Sequence, residues 1–330
     1  MNKIAVIGSG SWATALAKLL LANCPRIGWY MHRPERIEEF RSMGHNPVYL
    51  SDVSFDTERI DFTSGIDRAC ADADTLLLVV PSPYFKDTID KVTIDISGKN
   101  IVSAVKGIVP DSDMLVSDYM ESRFGCRREN MLVIGGPCHA EEVALERLSY
   151  LTIGCRDAAK AAEFAARLAG PKLRTIESAD VNGIEYAAVL KNVYAIMAGI
   201  LSGMKAGDNF QAMMVSNAIR EMRRFVDAVS PLEGRDICRS AYLGDLLVTA
   251  YSRFSRNHNF GSMIGKGYSV KAAMMEMDMV AEGYFGTNCI HRINSEGPQV
   301  EMPILDCVYR ILYQARNPRK AVDAIAPSFT

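Results

Sequence analysis

The sequence predicts two successive architectures, a doubly wound α/β sheet over residues 1–182 and an all-α region over 183–330. Three observations carry this. The apolar run Ile4-Ala5-Val6-Ile7 leads straight into Gly8-x-Gly10-x-x-Ala13 and an apolar helical pattern. Short apolar runs then alternate with helical patterns as far as residue 176, and beyond about residue 182 no strand pattern recurs. Strands that alternate with helices build a mainly parallel sheet.

The opening strand is continuous in apolar residues because a parallel strand is covered by helices on both faces. In the loop after it, Gly8 permits a tight turn and Gly10 lets backbone approach a diphosphate. The small Ala13 lets helix and strand pack closely. The helix starting at Ser11 and Trp12 would aim free N–H groups and its positive dipole end at that anion. Further strands are expected at 27–31, 74–80, 101–105, 131–134, 150–153 and 173–176. An alanine-rich helix is expected at 157–168. Pro81 and Pro83 end the run 74–80, since proline supplies no N–H to a central ladder. Ligands of such sheets gather at the carboxyl ends of the strands. Gly8, His32, Pro81, Lys106 and Gly136 all fall at that edge in this reading.

The second region reads as helices over 184–204, 211–229, 269–281 and 303–315, punctuated by Gly203, Gly207, Gly234 and Gly261. Met274, Met275, Met277 and Met279 are expected as adaptable core filling. Residues 186–204 are apolar enough to suggest a membrane span, but Lys191 and Asn192 lie inside them. A charge there is expensive in lipid, so a buried helix presenting a functional lysine is the expectation. Residues 1–24 resemble a lipoprotein signal only faintly, because Gly8 and Gly10 interrupt the apolar run.

With 330 residues, 48% of them hydrophobic and 23% charged, the chain is long enough for two ordinary globular cores. A net charge of −2 gives no footprint for nucleic acid or an acidic membrane surface. The eight cysteines have no zinc-type spacing, and the five histidines form no ligand cluster. We expect reduced thiols, no metal, and a cytoplasmic protein.

Four stretches could carry chemistry. Lys191 in its apolar helix would be desolvated, which lowers its pKa toward neutrality and suits it to moving a proton. A buried stem with a solvated head is the structural alternative. Asp245 and Thr249 are four apart and would share a helix face, unless Asp245 only caps a helix after Gly244. Ser255, Arg256 and Asn257 combine a guanidinium fork with hydroxyl and amide donors, a set suited to phosphate. Lys106 follows a strand end.

Taken together, Gly8 to Trp12, His32-Arg33, Val80-Pro81-Ser82, Lys106-Gly107 and Gly136-Pro137-x-His139-Ala140-Glu141-Glu142 carry a resemblance that continues through the second region. There it rests on Leu190-Lys191-Asn192, Gly244-Asp245-Leu246, Ser255-Arg256-Asn257, Glu282-Gly283 and Met302-Pro303-Ile304. The sequence resembles the bacterial NAD(P)-dependent glycerol-3-phosphate dehydrogenases over almost its whole length. The resemblance implies a Rossmann-type domain and a helical domain enclosing a site. It also implies reversible hydride transfer between a nicotinamide and C2 of glycerol 3-phosphate, and a homodimer that supplies glycerophospholipid synthesis. Lys191 matches the family's acid/base, with Lys106 and Asp245 beside it. Lys106, Gly136, Cys138, Asn192, Asp245, Thr249, Ser255, Arg256 and Asn257 match substrate positions. Gly8, Gly10, Ser11, Trp12, Ala13, His32, Arg33, Tyr49, Lys106, Ala140, Arg256, Val280 and Glu282 match the cofactor side.

Two departures stand out. Ala13 occupies a position more often glycine, and Cys138 one more often serine or threonine, where a thiol is the weaker hydrogen-bond partner. The second strand ends at His32-Arg33 rather than at the acid that bonds the ribose hydroxyls of NAD, so NADP is the expected cofactor, with NAD possible. Two other readings remain at this point. One is a β-hydroxyacid dehydrogenase of similar architecture, which would need a carboxylate site. The other is a non-catalytic NADP-sensing protein, which could dispense with Lys106 and Lys191.

Overall fold

The computed structural model describes every residue except 253, 278 and 280. The chain divides into two compact units. The first holds Met1–Val105 and Val116–Val181, and the second holds Lys106–Leu115 and Asn182–Thr330. One cut in the sequence near residue 182 therefore does not separate them, because the ten residues from Lys106 group with the helical unit.

Among the described residues the first unit contains eight strands: β1 (Ile4–Ile7), β2 (Ile27–Tyr30), β3 (Ile60–Thr63), β4 (Thr75–Leu78), β5 (Asn100–Ser103), β6 (Met131–Gly135), β7 (Ser149–Cys155) and β8 (Leu173–Ser178). They form one sheet in the order β3-β2-β1-β4-β5-β6-β7-β8. All pairings are parallel except β6 with β7. The order reverses direction between β1 and β4, which is where a doubly wound sheet opens a crevice. The helices of this unit are α1 (Ser11–Asn23), α2 (Pro34–Met43), α3 (Ile66–Ala71), α4 (Ser82–Ile89), α5 (Val116–Phe124), α6 (Ala140–Ala144) and α7 (Ala158–Leu168).

β1 is buried at all four positions, as its continuous apolar run requires. Its core joins Leu16 and Leu20 of α1 to Phe164 and Leu168 of α7. A second part of that core is aromatic. Trp29 on β2 meets Phe40, Phe55 and Phe62 at centroid separations of 5.3, 5.7 and 5.9 Å. β3 has no counterpart in the sequence reading. Its four residues, Ile-Asp-Phe-Thr, alternate in burial because it is an edge strand, so it lacks a continuous apolar run.

The second unit contains α8 (Val181–Gly203), α9 (Asp208–Val229), α10 (Asp245–Tyr251), α11 (Arg256–Gly265), α12 (Val270–Met275), α13 (Glu282–Glu296), α14 (Pro303–Tyr313) and α15 (Pro318–Ile325). α8 is its central helix. It is the one described helix long and apolar enough to cross a membrane, yet 94% of its most apolar window is buried within the protein. Tyr186, bulky for its place on α8, packs edge-to-face on Phe225 of α9 at 5.5 Å.

Three expectations for this unit need correction. The helix expected over 269–281 is only the short α12, started by the Ser269 hydroxyl accepting from the Ala272 N–H and finished at Met275. Met277 and Met279 are half-buried, but Met274 and Met275 do not fill a core. Met275 is 79% exposed and Met274 38%, because α12 has only Ala273 buried. Gly261 does not punctuate a helix. It lies inside α11 and serves a close helix crossing, whereas Gly203 ends α8 as expected and serves the same crossing.

Candidate active site

In the first unit the chain between β1 and α1 makes an amide cradle. Gly8 sits at φ +132°, and a Cβ there would lie 2.7 Å from the Val79 carbonyl oxygen, so only glycine is accommodated. Gly10 caps α1 with no side-chain partner, and α1 has no acidic residue in its first turn. A Cβ on Gly10 would meet no heavy atom within 4 Å. The space beside Gly10 at the amide end of α1 is thus open, and a diphosphate fits the charge and dipole of that helix end. Ser11 and Trp12 form the first turn, and Ala13 is buried beneath it.

The loop is held from behind by side chains the sequence reading missed. The Trp29 indole N–H donates to the Gly8 carbonyl at 2.7 Å. The Asn46 amide donates to Ser9 O at 3.2 Å and to Thr14 Oγ1 at 2.8 Å. Its oxygen accepts from the N–H groups of Val48 and Tyr49 at 3.0 and 3.1 Å. The Thr14 hydroxyl in turn donates to Gly10 O at 3.0 Å. A lone asparagine before a proline reads as a turn residue, so no local pattern marks Asn46 in advance.

At the end of β2, His32 and Arg33 are both exposed, and Arg33 Nε lies 3.2 Å from His32 Nε2. Burial, then the positive charges of Arg33 and Lys91, hold the His32 pKa below its ordinary value. No carboxylate ends this strand. Gly136 follows β6 at φ +110°, with the Tyr150 carbonyl oxygen 2.9 Å from where a Cβ would sit. Cys138 is buried, and Ala140 opens α6.

The second unit brings together the charged residues. Lys191 on α8 is 3% exposed, and its Nζ lies 2.5 Å from Oδ1 of Asp245, itself 1% exposed. Burial depresses the Lys191 pKa to about 8, with the Asp245 charge opposing that fall and the Lys106 charge adding to it. Asp245 is the first residue of α10, set after a π-helical turn over Ser240–Gly244. Thr249, one turn on, donates its hydroxyl to Asp245 O at 2.6 Å. Asn192 donates to the Lys106 carbonyl at 2.9 Å, which ties the segment Lys106–Leu115 to α8. That segment is also clasped at its far end, where Arg292 of α13 donates to Asp113.

The approach of α11 to α8 is set by glycine. Cβ atoms at Gly199 and Gly261 would each lie 2.0 Å from a carbonyl oxygen of the other helix, and Gly203 and Gly265 repeat the contact one turn along. The spacing Gly-x-x-x-Gly, present in both helices, is the pattern that could have found this crossing. Ser255 caps α11 by accepting from the His258 N–H at 3.2 Å. Arg256 begins the helix half-buried, with Nη1 3.8 Å from the sulfur of Met279. Asn257 Oδ1 accepts from the Gly283 N–H at 2.9 Å, fixing the start of α13, where Glu282 is the first residue. Gly283 also lies against Asn192, whose carbonyl oxygen is 2.6 Å from its would-be Cβ. Val280, matched to the cofactor side in the sequence, lies outside the described residues.

An amide cradle after the first strand of a doubly wound sheet, and a desolvated lysine–aspartate pair in a helical unit, define the class of nicotinamide-dependent dehydrogenases. Comparison makes the assignment specific. Residues 3–161 match the family model for the NAD-dependent glycerol-3-phosphate dehydrogenase N-terminus, and residues 180–323 match that for its C-terminus. The chain belongs to this family. Glycerol-3-phosphate dehydrogenase [NAD(P)+] of Bacillus cytotoxicus is 32% identical over 329 residues, covering 98% of this chain and 95% of that protein. The enzyme of the same name from Bacillus subtilis is 31% identical, with 98% and 94% covered. The crystal structure of glycerol-3-phosphate dehydrogenase from Coxiella burnetii superposes with a TM-score of 0.89 at 28% identity, covering 98% of each chain.

Proposed function

We propose that this chain interconverts dihydroxyacetone phosphate and sn-glycerol 3-phosphate, with NADPH preferred over NADH. The observation that carries the reading is the buried Lys191–Asp245 pair, with Lys106 lowering the lysine's proton affinity. A lysine with a pKa of about 8 exchanges protons readily near neutral pH, as a general acid–base must.

The nicotinamide, when bound, supplies or takes up the hydride. Lys191 Nζ gives a proton to the C2 oxygen as the carbonyl is reduced and takes it back as the alcohol is oxidised. Asp245 keeps the ammonium in place, and Thr249 steadies the aspartate's backbone. Arg256, at the amide end of the ten-residue α11, receives the phosphate with Ser255 and Asn257 beside it. By family resemblance, Asn192 in the second unit and Gly136 and Cys138 in the first are matched to substrate positions. Gly8, Gly10, Ser11, Trp12, Ala13, Tyr49, Lys106, Ala140, Arg256 and Glu282 serve the cofactor. The exposed His32 and Arg33 at the end of β2, where an NAD-selective site carries an acid, support the NADPH preference. Family resemblance supports a cytoplasmic homodimer feeding glycerophospholipid synthesis.

The test is a spectrophotometric assay with dihydroxyacetone phosphate, comparing NADH and NADPH. Oxidation of NADPH at the lower KM is expected, and Arg33→Ala should erode that advantage. No oxidation of either nucleotide would remove the assignment, and a wild-type preference for NADH would remove the cofactor choice.

A further inference from the structure

The glycine loop and the Tyr49 segment come from different stretches of the chain, and one side chain joins them. Asn46 is 3% exposed, and all four of its hydrogen-bonding valences are used. Two donors face the loop, at Ser9 O and Thr14 Oγ1. Two acceptor sites face the N–H groups of Val48 and Tyr49. Thr14, fully buried, extends the relay to Gly10 O. The carbonyls of Ser9 and Gly10 are thereby turned inward, and the amide end of α1 is left facing the open space over Gly10. A buried network that satisfies every member fixes one arrangement, and breaking a single bond strands a desolvated partner.

We propose that Asn46, acting through Thr14, is the positioning residue of the dinucleotide loop. It sets the cradle that receives the cofactor diphosphate and couples it to the segment bearing Tyr49. This rests on the nicotinamide-dependent reading above but not on the identity of the substrate.

The chain supplies its own reporter. It has two tryptophans, and both lie beside this loop. Trp12 lies in the first turn of α1, and Trp29 bonds the Gly8 carbonyl. Intrinsic tryptophan fluorescence therefore reads the cradle whether or not turnover occurs.

The experiment titrates NADPH and NADH into the full-length protein by tryptophan quenching, with adenosine 2′-monophosphate as a control that lacks the diphosphate. Thr14→Val keeps shape but deletes the relay hydroxyl, and Thr14→Ser restores it. Thr14→Val is expected to raise both dinucleotide Kd values roughly three- to tenfold, the worth of one hydrogen bond. It should leave adenosine 2′-monophosphate binding and the KM for dihydroxyacetone phosphate within about twofold. Thr14→Ser should bind as wild type. Asn46→Ala, where it folds, should cost about ten- to a hundredfold because the whole cradle shifts. Unchanged dinucleotide binding in folded Thr14→Val would overturn the proposal, and so would an equal loss for adenosine 2′-monophosphate. If wild-type protein binds dinucleotide but does not turn over dihydroxyacetone phosphate, the substrate assignment fails while these titrations still decide the role of Asn46.

Discussion

The two units build their sites from opposite materials. In the first unit the glycine loop offers backbone amides, and the side chains that support it, Asn46, Thr14 and Trp29, are uncharged. In the second, the central feature is an ion pair, Lys191 with Asp245, sealed from solvent, with a further cation on Lys106. A diphosphate carries its charge permanently, so fixed dipoles suffice to bind it. A proton must leave and return within one turnover, so the acid–base group needs a tuned charge, and burial provides the tuning. The first site therefore depends on shape and the second on electrostatics.

The sharpest way to break this contrast is Lys191→Ala. Turnover should fall by roughly 10²–10⁴-fold, the usual range for an acid–base group, while dinucleotide binding by fluorescence stays intact. In wild type, the reductive direction needs protonated Lys191, so its kcat should fall as pH rises through about 8. The oxidative direction should rise over the same interval. A flat profile in both directions would take Lys191 out of proton transfer.

Asp245→Asn tests the same charge from its partner. Leaving a buried ammonium without its counter-charge should lower stability by about 3–5 kcal/mol, measured by denaturant unfolding. The inflection of the surviving activity should move to lower pH, since the Asp245 charge is what raises the Lys191 pKa.

A neutral change in the second unit should act through geometry alone. Gly261→Ala places a methyl 2.0 Å from the Ile196 carbonyl oxygen and should cost about 1–3 kcal/mol as α11 is pushed off α8. Because α11 carries Arg256 and α8 carries Lys191, the KM for dihydroxyacetone phosphate should rise with it. A lower melting temperature with an unchanged KM would mean that the crossing serves stability only.

The smallest effect is expected at Glu221, a second buried charge that touches no ligand group. Its two oxygens accept from the N–H groups of Ile304 and Leu305 at 2.9 and 3.0 Å, capping α14 from α9. Burial pushes its pKa up to about 7, against the pull of those N–H groups and of Arg224. Between about pH 4.5 and 7 the folded protein thus holds a proton that the unfolded chain has released, so stability falls as pH rises across that window. Glu221→Gln should flatten this slope, and an equally steep slope in the variant would assign it to other groups.

What was legible in the sequence follows from burial. β1 and β4 are covered on both faces, so their runs are continuous and easily read. β3, half-exposed at the sheet edge, left no run at all. Lys191 was conspicuous because a charge in an apolar helix breaks a clear pattern. Asp113, Arg292 and Asn46 were not, since each works through a partner distant in sequence. Gly203 does end α8, but Gly261 is a contact rather than a stop, because spacing alone does not say whether a glycine ends a helix or admits a neighbour.

The burial of α8 also has a consequence for synthesis on the ribosome. This apolar segment leaves the exit tunnel before α11, whose backbone fits into its glycine face, has been made; Arg256 lies 53 positions after Gly203. At roughly 5–20 residues per second, the glycine face of α8 stays uncovered for about 3–10 s in each round of translation. Throughout that interval its length and hydropathy match those of a membrane-inserting segment, and Lys191 is the feature that argues for its release. The same buried charge that pairs with Asp245 in the folded protein thus also marks the nascent helix as one destined for a protein core.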